Sequence, residues 1–225
     1  MLTPADTAAA ERLAEVDSAI ARAARLAGRP RGDITLVAIS KTWGAEAITP
    51  LIAAGQRHFG ENRVAEAESK WPALRAATPD ITLHLVGQLQ SNKADSAVAL
   101  FDVIHSVDRP SLITALGKAM QAAGKFPPCY IQVNIGDEVQ KGGCAIADIG
   151  ATIAAARAAG LPVIGLMAVP PADIEPAPFF ALLAKLAREH ELTGLSMGMS
   201  GDFETAVMLG ATVVRVGSAL FGSRG

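Results

Sequence analysis

The sequence has only two cysteines, Cys129 and Cys144, and they form neither a CxxC pair nor a disulfide framework. A disulfide-stapled secreted scaffold and a thioredoxin-type redox motif are thereby excluded, and free thiols in a reducing cytoplasm are expected. No basic block is present: 20 Lys and Arg stand against 22 Asp and Glu, spread along the chain. Nothing therefore asks for nucleic acid or an anionic membrane. Gly, Pro or a charge breaks every apolar run well before the ~18 residues of a spanning helix. The polar, acidic start MLTPADTAAAERLAE does not read as a signal peptide. No HxH pair occurs, so the converging ligands of a hydrolase-type metal barrel are missing. His58, His84 and His105 are expected to be hydrogen-bonded, with no metal bound.

What remains is a globular chain of 225 residues, 50% apolar and 19% charged, long enough to bury a sizeable core. It opens with an amphipathic helix. Thr3 can cap it, Pro4 suits the first position, and Leu13, Val16, Ile20 and Ala23 or Ala24 follow helical spacing up to Gly28 and Pro30. A βα rhythm follows. Strands are expected at 34–40, 57–60, 81–86, 103–106, 130–134, 163–167, 195–197 and 213–216. Helices are expected between them, including 45–54, 62–71, 91–100, 145–159 and 202–209, with Asp108 capping a helix that starts at Arg109-Pro110. Gly55, Gly124, Gly160 and Gly210 stop four of the helices. Near-continuous apolar strands alternating with helices imply a parallel sheet, and eight units imply a single (β/α)8 TIM barrel over 33–225 behind an N-terminal helix within 1–28. The rival is an open doubly wound sheet. It would place a Gly-rich turn after the first strand, where this chain has Ser-Lys-Thr-Trp.

Barrel chemistry sits at the C-terminal strand ends, and the polar residues of this chain concentrate there. Lys41 emerges from the apolar first strand. Partial desolvation favours the neutral amine, the form that attacks a carbonyl. After the seventh strand, Ser196–Asp202 forms a glycine-rich turn with Ser200, and after the eighth come Gly217 and Ser218. These are the two strand ends where barrels often bind phosphate. A reactive lysine with a phosphate cradle leaves two classes: a pyridoxal 5′-phosphate (PLP) protein or a class I aldolase-like enzyme acting on a phosphosugar. Arg215, two residues before Gly217, could face a pyridine nitrogen or pair with a carboxylate. Lys93 and Lys141 read as solvated loop charges, and Met197 and Met199 as packing residues.

The stretches LVAISKT (36–42), HFGENRVAE (58–66), HLVGQLQSNK (84–93), IHSVDR (104–109), QVNIGDEVQKGGC (132–144), GLMAVPP (165–171), LSMGMSGDFETAV (195–207) and VVRVGSALFGSR (213–224) run through the chain in order. Together they resemble the PLP homeostasis protein family, which is built on the alanine-racemase N-terminal barrel. The resemblance implies PLP as cofactor, with Lys41 as the Schiff-base lysine. It further implies Ser200, Gly217 and Ser218 around the phosphate, Arg215 at the pyridine nitrogen, and Asn62 beside the cofactor. Trp43-Gly44 departs from the family, where many members have a basic residue and a proline.

A PLP racemase needs a base on each face of its substrate, and alanine racemases take the second from a tyrosine on a further β-rich domain. This chain stops soon after the eighth unit, and its sole tyrosine, Tyr130, reads as a core residue. An arginine at the ring nitrogen also weakens the ring as an electron sink. The expectation is a monomeric cytoplasmic carrier that holds PLP and hands it to PLP-dependent apo-enzymes, and not an enzyme. Weak racemase activity is the alternative.

Overall fold

A computed structural model describes residues 4–222. The expected Thr3 cap and the Ser223-Arg224 end of the last family stretch lie outside the described residues. Eight strands are present: β1 (Thr35–Ile39), β2 (His58–Glu61), β3 (Thr82–Leu85), β4 (Val103–Val107), β5 (Cys129–Gln132), β6 (Val163–Met167), β7 (Gly194–Ser196) and β8 (Val213–Val216). They are parallel and close into a barrel in sequence order, with β1 pairing β8 from Thr35 opposite Val213 to Ala38 opposite Val216. The open-sheet alternative is thereby excluded.

The α-helices are α1 (Pro4–Leu26), α2 (Ala45–Ala53), α3 (Val64–Ala77), α4 (Ala94–Leu100), α5 (Pro110–Ala123), α6 (Ile149–Ala158), α7 (Ala177–Glu189), α8 (Phe203–Met208) and α9 (Ser218–Phe221). Strand alternation explains the two layers of core. Leu36 and Ala38 join the large apolar layer between strands and helices. Val37 turns inward to a small cluster with Tyr130, Met167 and Val213. The α5 C-terminus shows why a glycine follows: Gly124 adopts φ 62, a left-handed conformation that costs other residues energy.

Helix α1 lies on the outside of the barrel and buries Val16, Ile20, Ala23 and Ala24. It is tied to the last units of the chain. Arg12 Nε donates to the Leu220 carbonyl at 2.6 Å, and Arg22 pairs with Glu204 at 2.7 Å. Just beyond it, Arg29 donates to the Val207 carbonyl at 3.0 Å.

Two expectations are corrected. Helix α3 continues past Trp71 and through Pro72 to Ala77. Buried Trp71 and partly buried Leu74 anchor it on the core, which offsets the helical hydrogen bond that Pro72 cannot make. Asp108 does not cap α5. Its carboxylate instead accepts from Arg109 Nη1 at 2.7 Å and from the Gly143 amide at 3.3 Å, so it ties down the loop after β5.

Candidate functional site

Strand β1 ends in Ser40-Lys41-Thr42-Trp43. The buried β2 terminus Glu61 and helix α3 hold this loop. Ser40 Oγ donates to Glu61 Oε1 at 2.6 Å and Trp71 Nε1 donates to the same oxygen at 3.0 Å. Lys70 Nζ lies 2.9 Å from Glu61 Oε1 and 2.9 Å from Glu66 Oε1, and it donates to the Ser40 and Trp43 carbonyls at 2.8 and 3.0 Å. Glu66 accepts the Thr42 amide, and Lys70 helps to hold its carboxyl below the usual range against the opposing effect of burial. Thr42 itself sits at φ 65, a strained position for a β-branched residue. The residue next to Lys41 is therefore held in an unfavourable conformation by an ionic brace.

On the opposite wall, the turn after β7 folds back over α8. Gly198 has φ 91, and a Cβ there would lie 2.5 Å from the Ala206 side chain, so only glycine fits. Ser200 Oγ accepts the Gly217 amide at 3.1 Å, which joins the turns after β7 and β8. Arg215 is buried. Nη1 donates to Ser196 Oγ at 2.7 Å and Nη2 to the Ala168 carbonyl at 2.9 Å. Burial pushes its pKa down to about 10, which still leaves it cationic at neutral pH.

These walls enclose one cavity of about 340 Å³ at the C-terminal mouth of the barrel, lined by Lys41, Ser200, Arg215, Gly217 and Ser218 together with Ile39, Trp43, Met199, Gly201 and Gly222. The size suits a small molecule. Five of the six expected site residues therefore meet. Asn62 is not among the lining residues of this cavity and instead lines a separate cavity with Arg63, Gln88 and Lys93. Sequence reasoning missed the rim. Trp43 stacks on Phe221 with centroids 5.5 Å apart. Met199 is 40% exposed and lines the cavity, whereas Met197 packs in the core as expected. Lys141 is not a solvated loop charge: it donates to the Pro170 carbonyl at 2.9 Å and pairs with Glu138. An aromatic two residues after a candidate lysine was the signal for Trp43. Met199 had no signal beyond its place in the turn.

Fold and cavity together define a (β/α)8 barrel with an amine, a guanidinium and two hydroxyl-bearing turns around one mouth. The chain belongs to the alanine racemase N-terminal domain family, which matches it over residues 12–225. It is 40% identical to the pyridoxal phosphate homeostasis protein of Pseudomonas aeruginosa, covering 96% of this chain and 95% of that one. The protein of the same name from Escherichia coli is 38% identical, covering 96% of both chains. PipY of Synechococcus elongatus, solved with PLP bound, superposes with a TM-score of 0.80 at 40% identity, covering 95% of this chain and 100% of that one.

Proposed function

We propose that this protein holds PLP as a Schiff base on Lys41 and serves PLP homeostasis in the cell. The observation that carries the reading is the donor set of the mouth cavity. An amine that can condense with an aldehyde, a cationic guanidinium, and two turns bearing Ser200, Ser218 and Gly217 share one space of PLP-compatible chemistry. Hydrogen-bonding within the described residues leaves the amides of Gly201 and Ser218 without a protein acceptor, as a phosphate site requires. Relatives with the homeostasis name and a PLP-bound neighbour at 40% identity support the same assignment. In this reading Lys41 anchors the cofactor, Ser200, Gly217 and Ser218 take the phosphate, Arg215 faces the ring nitrogen, and Asn62 stands beside the ring. Bound PLP supplies a reactive aldehyde, which reversible condensation with lysine keeps from side reactions.

Carriage is favoured over racemisation by Tyr130. It is 5% exposed and stacks on His105 at 4.5 Å inside the barrel, away from the lining of the mouth. No tyrosine base therefore faces Lys41 among the described residues. The carrier reading extends to one folded unit, with α1 and the barrel sharing one apolar layer. It also extends to a monomer, to delivery to PLP-dependent apo-enzymes, and to the cytoplasm, which suits two free buried cysteines. No helix among the described residues is long and apolar enough to cross a membrane.

The test is absorbance titration of the full chain with PLP. A visible Schiff-base band should form and vanish in Lys41→Ala. A chain that stays colourless with added PLP overturns the reading, and phosphosugar cleavage without PLP would replace it with the aldolase class. Sustained racemisation of alanine at roughly 1 s⁻¹ or more would overturn the carrier role. Sedimentation, apo-enzyme reactivation and cell fractionation test the monomer, the delivery and the compartment.

A further inference from the structure

A line of polar side chains crosses the barrel interior. His58 Nδ1 lies 3.1 Å from His84 Nε2, and His84 Nδ1 lies 2.9 Å from His105 Nε2. His105 Nδ1 lies 2.8 Å from Ser196 Oγ, the same atom that accepts Arg215 Nη1 at 2.7 Å. His58 opens β2 at the N-terminal end of the barrel. There it lines a cavity of about 570 Å³ with Asp17, Arg31, Gln56 and Arg57. Arg215 lines the mouth cavity with Lys41. The line thus joins the floor of the barrel to its mouth.

Hydrogen-bond chemistry gives the line one direction. Arginine can only donate, so Ser196 Oγ accepts from Arg215. Ser196 Oγ has no further partner among the described residues, so its own proton points at His105 Nδ1. A neutral imidazole has one donor and one acceptor. His105 therefore carries its proton on Nε2 and donates to His84 Nδ1. His84 in turn donates from Nε2 to His58 Nδ1. Burial keeps the inner rings neutral: His84 falls to about 3 and His105 goes well below its ordinary range.

We infer that His58, His84, His105 and Ser196 are a positioning relay that sets how Arg215 is presented to the PLP ring, with its input at the barrel floor. The inference rests on Arg215 facing that ring, as proposed above. A proton on His58 Nδ1 would remove the acceptor that His84 needs and set two N–H groups against each other. Protons enter at that end only. His58 is half-buried and faces His84 on β3, Asp17 on α1, Arg31 ahead of β1 and its neighbour Arg57. His84 is enclosed between the two other rings. His105 is sealed between His84, the Tyr130 ring and cationic Arg215, which repels a second charge.

Two measurements test this on the full chain. Long-range proton–nitrogen NMR of the protein without PLP should show Nε2–H tautomers at His58, His84 and His105. A Nδ1–H or averaged tautomer at His84 or His105 overturns the relay whether or not PLP binds. Titration with PLP then reads the coupling. Ser196→Ala should weaken PLP binding about tenfold, the order expected for losing one charge-assisted hydrogen bond. It should also remove the pH dependence that protonation of His58, below the ordinary imidazole range, gives the visible band of the wild type, and Ser196→Thr, which keeps the hydroxyl, should restore both the affinity and the pH dependence. His58→Phe, at the half-buried end where misfolding is less of a threat, should give a smaller change of about threefold. If Lys41→Ala abolishes the band while Ser196→Ala and His58→Phe match the wild type in affinity and pH profile, the relay is wrong and the PLP site stands. If the wild type forms no Lys41-dependent band, the PLP reading fails first, and the coupling to PLP fails with it.

Discussion

The two walls of the mouth cavity are braced by opposite means. Behind Lys41 stands a charged brace, in which buried Glu61 gathers Lys70, Ser40 and Trp71 while Glu66 takes Lys70 and the Thr42 amide. Behind Arg215 stands a neutral one, three imidazoles and a hydroxyl in file. The difference follows from what each wall must hold. The lysine loop is backbone in a strained turn, and paired charges reach its carbonyls and amide from α3. The arginine is already a buried charge, so neighbours that stayed neutral could approach it without repulsion.

This contrast can be broken at several points. The largest effect is expected from acid. Between pH 6.5 and about 3 the unfolded chain protonates His84 while the folded chain does not, and burial shifts His105 in the same direction. The unfolded state then binds more protons, so stability falls as pH falls below 6.5. At about 1.4 kcal/mol per pH unit, His84 alone accounts for a loss of about 4–5 kcal/mol by about pH 3, and His105 adds to it in the same direction. Urea melts at stepped pH measure it, and a flat profile from pH 7 to 5 would erase the contrast. Next comes Lys70→Met, which strands the buried Glu61 charge and should destabilise by about 3–5 kcal/mol. Adding Glu61→Gln should recover part of that loss, and strict additivity of the two changes would argue against a shared brace. Trp71→Phe removes one donor to Glu61 and should cost about 1–3 kcal/mol in the same melts. The smallest effect is expected at Thr42. Thr42→Gly relieves the left-handed strain and should stabilise by about 0.5–1 kcal/mol in the same melts.

Much of the frame was legible from apolar runs and their punctuation. The spans of β6 and β8 coincide with the expected strands because Gly or Pro-flanked runs of Val, Ile and Met leave little choice. Lys41, Ser200, Arg215, Gly217 and Ser218 could be gathered because barrel closure puts all strand C-termini on one rim. The bracing was not legible. Partners in the histidine file are 26, 21 and 91 residues apart, and only closure and stagger of the strands make them neighbours. The role of Glu61 was not legible, because nothing local shows that α3 carries Lys70 and Trp71 back over it. The extent of α3 was misjudged where tertiary anchoring of Trp71 outweighed a proline.

The clasp between α1 and the last turns bears on how the chain is made. Arg12 reaches Leu220 across 208 residues, and β1 can pair β8 only after the rest of the barrel exists. Contacts of such long sequence separation form late in folding, because their loop entropy must be met first. During synthesis Lys41 leaves the ribosome long before Arg215 and the Gly217 turn. A nascent chain thus carries Lys41 without the cavity around it, which comes into being only when the final strand closes the ring.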